Sequence, residues 1–122
     1  MAYIKEVIVD VTTDGAGAAT AYGEAIQHGL ILDVFYVKDG TTPFSDGVDF
    51  DITLERYGVE LVDADNVNAS AHWTPRQIAH LNSDSSAGTA AQEPIPVVND
   101  RVKIVVASGG ATKLGRFVIQ VG

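Results

Sequence analysis

A chain of 122 residues builds one hydrophobic core, so mechanisms that need two domains closing on each other are excluded. Acids outnumber bases 16 to 8, and the net charge of −8 argues against a surface built to neutralise phosphates and against nucleic acid as a direct partner. With no cysteine, disulfides, thiolate nucleophiles and cysteine-bound metal centres are excluded, while a 46% hydrophobic content is ample for a packed interior.

In chain order, residues 3 to 13 alternate, with Val7, Val9 and Val11 on one face, which predicts a first strand. Glu6 and Asp10 interrupt this apolar run, so neither a signal-peptide core nor a membrane span fits there, and a soluble chain with no membrane partner is expected. Residues 18 to 28, AATAYGEAIQH, admit a helix on alanine content, but Gly23 weakens it. The preferred reading is a strand from Ala19 with a bulge at Gly23.

The run LILDVFYV, Leu30 to Val37, is apolar on both faces apart from Asp33. That pattern predicts a strand either buried between two layers or covered by a neighbouring subunit, stopping at the Asp39-Gly40 turn signal. VDFDITLE, residues 48 to 55, is the cleanest period-two segment, and Val59 and Leu61 mark a shorter strand over residues 56 to 66. Thr74 and Pro75 suggest one short helical turn within residues 73 to 81.

Residues 82 to 93 are small and polar and predict a loop or arm. Pro94 and Pro96 then remove two backbone donors and predict an edge strand or a strap over residues 94 to 98. Residues 82 to 98 together are expected to be dispensable for folding. Val102, Ile104 and Val106, then SGGATKLG, then Phe117, Ile119 and Val121, predict an antiparallel hairpin. The fold class is all-β: one domain over residues 1–122, a small antiparallel β-sandwich or barrel with a long polar loop and at most one short helical turn.

The charge is uneven. Residues 1–65 hold 13 acids and 3 bases, net −10, and residues 66–122 hold 3 acids and 5 bases, net +2. Such asymmetry suits a surface that meets copies of itself or an oppositely charged neighbour, and is equally a chance property of an acidic domain.

Motifs for chemistry are weak. GAGAAT at 15 to 20 has Thr20 where a dinucleotide fingerprint needs a third glycine, and SGGATK at 108 to 113 lacks the Gly-Lys-Ser/Thr ending, so both are read as turns. Asp46, Asp49, Asp51 and Glu55 supply hard oxygen donors for a cation. Same-face strand neighbours lie about 6.6 Å apart, however, too far to share one ion without another partner, so a solvated face is preferred.

His28, His72 and His80 form no ligand pair, and no serine sits in a nucleophile elbow. Asn68-Ala69-Ser70 fits a glycosylation sequon and is read as coincidence. Trp73 either plugs the core, which is slightly favoured, or anchors a subunit contact. No enzyme activity, catalytic residue, metal or cofactor is expected. The interface candidates are Trp73, Pro75, Arg76, Pro94 and Pro96.

The order of ATAYG (Ala19 to Gly23), LDVFYVKDG, VDFDITLE, WTPR (Trp73 to Arg76) and DRVKIVVASGGATKLGRFVIQV resembles small virion proteins of tailed bacteriophages. The resemblance implies a structural virion protein made in the host cytoplasm, a capsid decoration or minor capsid protein that binds and stabilises the shell. Its partners would be the major capsid protein and copies of itself, a trimer by preference. The alternatives are a neck or tail connector or terminator ring, and a carbohydrate or cell-surface binding module on the particle.

Overall fold

The computed structural model describes residues 3–80 and 83–122, with no side-chain account for residues 87–91. Eleven strands follow one another: β1 Lys5–Thr12, β2 Ala19–Tyr22, β3 Ile26–Lys38, β4 Val48–Leu54, β5 Val59–Val67, β6 Ala71–Trp73, β7 Gln77–His80, β8 Ala87–Glu93, β9 Ile95–Asp100, β10 Val102–Ala107 and β11 Leu114–Val121. There is no helix among the described residues, so the all-β expectation holds.

One sheet has the order β1-β11-β3-β6, with β9 also pairing β3. A second runs β2-β10-β4-β5, and β7 and β8 form a two-stranded ribbon. Every strand pair is antiparallel.

The two large sheets close on one core because their strands alternate. Val7, Val9 and Val11 of β1 point inward, as do Val48, Phe50, Ile52 and Leu54 of β4, all buried. At its centre Phe117 of the first sheet meets Phe50 of the second edge to face, with ring centroids 4.9 Å apart. Tyr36 and Phe44 pack around that pair. Opposite Phe44, β11 carries Gly115, because any Cβ there would run into the Phe44 ring.

The predicted C-terminal hairpin is not formed. β10 lies between β2 and β4 in the second sheet, whereas β11 lies between β1 and β3 in the first. The connecting SGGATK segment therefore crosses from one layer to the other. It packs against the GAGAAT turn, with the Gly109 N–H donating to the Gly17 carbonyl at 2.9 Å. A Cβ on Gly17, whose φ is +82°, would stand 2.8 Å from the Gly110 nitrogen. These glycines allow the close backbone packing between two turns.

The helical turn expected at Pro75 is also absent. Thr74 gives its hydroxyl to Asp33 at 2.7 Å instead of capping a helix, and Gln77–His80 extend into β7. The polar segment after it is not all loop. Residues 87–93 form β8 by pairing with β7, while residues 81 and 82 lie outside the described residues.

The proline segment is an edge strand, β9, as expected, and Pro96 sits opposite Leu30 of β3. It is not dispensable padding, since Ile95 and Val97 are buried in the core. Residues 18–28 are extended and not helical, as preferred, but the expected bulge at Gly23 is a break: β2 ends at Tyr22 in the second sheet and β3 starts at Ile26 in the first. At Gly23 a side chain would crowd Val7 at 3.0 Å.

Candidate functional site

With both inner faces spent on the core, the two outer faces carry whatever the protein presents, and they differ in chemistry. On the first sheet, the register aligns Ile8 of β1, Val118 of β11, Phe35 of β3 and His72 of β6 in one cross-strand row. Phe35 and His72 stack with ring centroids 5.0 Å apart. The neighbouring row is Glu6, Gln120 and Asp33, and the row on the other side is Asp10, Arg116 and Val37.

β3 reaches this arrangement through a bulge. Gln120 pairs with Asp33 but Val121 with Ile31, so Leu32 is an extra residue that switches which alternate residues face out. Ile31, Val34 and Tyr36 are buried, while Leu30 and Val37 are 41% and 45% exposed. Of the eleven large hydrophobic side chains exposed among the described residues, six belong to this face: Ile4, Ile8, Leu30, Val37, Val98 and Leu114.

The polar groups between them are already engaged. Arg116 makes a two-point contact with Asp10 at 2.7 and 3.2 Å, which holds the Asp10 carboxyl below its usual range. Gln120 donates to Glu6 at 3.2 Å, and Thr74 donates to Asp33.

The outer face of the second sheet is acidic. Asp51, Glu60 and Asp63 bring carboxylate oxygens within 4.8 Å of one another. Glu60 and Asp63 are three apart in β5 and would fall on opposite faces of a regular strand. They share a face because Leu61 is inserted between Glu60, opposite Thr53, and Val62, opposite Ile52, leaving Leu61 and Val62 both buried. Partial burial, then a hydrogen bond to Asp51, then the negative charges of Asp51 and Asp63 push the Glu60 carboxyl up to about 7.

Of the four acids singled out from sequence, only Asp51 enters this group. Asp46 pairs with Lys38 at 3.5 Å, Glu55 with Arg101 at 2.8 Å, and Asp49 accepts from the Asn66 N–H at 3.0 Å. Alternation in β4 alone could not reveal the group, since two of its members come from the neighbouring strand through an irregular register.

The expected interface residues are not gathered into one patch. Trp73 is half-buried and packs against the core, Pro75 is buried, and Arg76 is exposed and donates to the Leu32 and Pro75 carbonyls at 3.2 and 2.7 Å. Pro94 is half-buried between β8 and β9. Pro96 alone joins the apolar face, beside Leu30 and Val98.

The apolar face therefore rests mainly on residues that the alternation assigned to solvent, such as Ile8 and Val118. The available signal was their size and apolarity at positions the pattern reserves for polar groups. His28, His72 and His80 are exposed on three different strands. The sequon residues serve the fold, since Asn68 accepts from the Gly47 N–H at 2.7 Å and Ser70 from the Lys38 N–H at 2.9 Å. A surface cleft of about 550 Å³ lies between the starts of β1 and β3 and is lined by Val7, Ile26 and Val121.

No protein-family model matches the chain, and no curated protein matches it. Among solved structures it is similar to the crystal structure of FLHE, with 10% sequence identity, 98% of each chain covered and a TM-score of 0.47. None of these comparisons supports the expectation of a structural virion protein, whether a capsid decoration, minor capsid, connector or terminator protein or a particle-borne carbohydrate module. The virion reading and its variants are withdrawn.

Proposed function

We propose that the protein is a non-enzymatic association module that acts as a homo-oligomer. The observation that supports this reading is the two-sided apolarity of β3. Its sequence suits a strand covered on both faces, yet within one chain only the face carrying Ile31, Val34 and Tyr36 is covered, and Leu30 and Val37 remain exposed. A chain of net charge −8 that keeps apolar side chains together on one sheet face gains by covering them with protein.

Asp10, Glu6 and Asp33 on that face are already hydrogen-bonded and His72 is stacked on Phe35, an arrangement suited to contact. The acidic second face keeps the reading away from nucleic acid. Native mass spectrometry and sedimentation equilibrium of the purified chain test it. A mass that is a multiple of the protomer at tens of micromolar is expected, and a monomer throughout would overturn it.

A further inference from the structure

We infer that the outer edge of β5 receives, as an added strand, an extended segment of another protein that carries lysine or arginine at alternate positions. β5 closes the second sheet. It pairs with β4 on one side and, among the described residues, with no strand on the other. Such an edge is a row of main-chain donors and acceptors, the feature that strand addition uses. With 9 residues rising about 3.3 Å each, it runs for about 30 Å.

Side chains select the occupant. Glu60, Asp63 and Asp65 are exposed on β5, and Asp51 lies behind them on β4, opposite Asp63. None of these four forms an ion pair with a lysine or arginine among the described residues, where the paired acids are Asp10, Glu24, Asp46 and Glu55. Lys103 of β10 shares a cross-strand row with Glu60 but stands beyond Thr53, two strands away. The raised Glu60 carboxyl agrees with this unmet charge, since after burial its causes are Asp51 and Asp63 and no base is among them.

A second copy of β5 is excluded as the occupant, because edge-to-edge pairing would bring these acids against their own copies. A strand with bases at alternate positions has the opposite effect. Cross-strand neighbours stand about 5 Å apart, so lysines on the outer face of the added strand reach Glu60 and Asp63. The residues between them lie on the inner face beside buried Val62 and half-buried Ala64, where apolar or small side chains fit. The net charge of −8 speeds the approach of such a segment.

A cation beside Glu60 favours its ionised form, so binding releases a proton near pH 6 and tightens as the pH rises to 7.5. This edge belongs to the second sheet and the apolar face to the first, so basic-segment binding and self-association can each occur without the other.

The probe is the peptide KVKTKVKT with both ends blocked. EVETEVET reverses its charge, and KPKPKPKP keeps the charge but loses half of the amide donors a strand needs. Calorimetry at pH 7.5 and 50 mM salt should show KVKTKVKT binding the unaltered chain at least tenfold more tightly than either control peptide. Joint replacement Glu60→Gln and Asp63→Asn should weaken it about fivefold, and Glu6→Gln on the first sheet should leave it unchanged. All variants should keep the same far-ultraviolet circular dichroism. Amides of residues 59–65 should gain hydrogen-exchange protection on binding, and the tightening between pH 5.5 and 7.5 should vanish in Glu60→Gln.

Equal binding of KPKPKPKP would reduce the contact to diffuse charge attraction and overturn strand addition. Binding untouched by Glu60→Gln with Asp63→Asn would place the peptide elsewhere and overturn the β5 edge. No binding of KVKTKVKT would overturn both, and each of these results leaves the homo-oligomer reading standing.

Discussion

Replacing Glu60 by Gln should stabilise the protein at alkaline pH and do nothing at pH 4.5. In the folded chain the Glu60 carboxyl is raised from 4.5 to about 7, by desolvation first and then by Asp51 and Asp63. The folded state thus holds a proton that the unfolded state releases, so the stability this group contributes is fully present below pH 4.5 and is lost as the pH climbs from 4.5 to about 7. About 2.5 units at 1.36 kcal/mol each would be roughly 3.4 kcal/mol for a fully buried group. Glu60 is exposed, and solvent screening reduces this to about 1 kcal/mol.

Glutamine keeps a donor toward Asp51 and removes the charge. Glu60→Gln should therefore raise Tm by about 4 °C at pH 8, with the gain shrinking to nothing at pH 4.5. Melting curves of both proteins at pH 4.5, 6, 7 and 8 read this directly, because other titrating groups cancel in the difference. A shift of equal size at every pH, or a loss at pH 8, would refute the account of the acidic group.

Two further outcomes follow from the packing. Gly115→Ala drives a methyl group into the Phe44 ring and should cost about 1–3 kcal/mol, read as a lower urea midpoint with an unchanged slope. Deleting residues 94–98 removes buried Ile95 and Val97 and the partner of the first half of β3, and should unfold the chain. Retained cooperative melting would show that β9 is not part of the core.

Alternation in the sequence was enough to place β1, β4, β10 and β11 and to tell which of their residues point inward, because side-chain direction in a strand depends only on the residue's own parity. Pro96 likewise marked an edge, since a missing N–H can be tolerated only where no ladder bond is required. Partner choice is not local. β10 and β11 show the same inward alternation whether they pair with each other or lie on opposite walls of one core, and only the packed chain sent them to different sheets.

The candidate surfaces were hidden for the same reason. The inserted Leu32 and Leu61 switch parity partway along β3 and β5. This keeps Leu30 and Phe35 on one outer face despite their odd spacing and brings Glu60 and Asp63 beside Asp51. A bulge is fixed by the register of the neighbouring strand, so the sequence determined an antiparallel all-β fold with β3 apolar on both sides, and the tertiary structure decided which side was left uncovered.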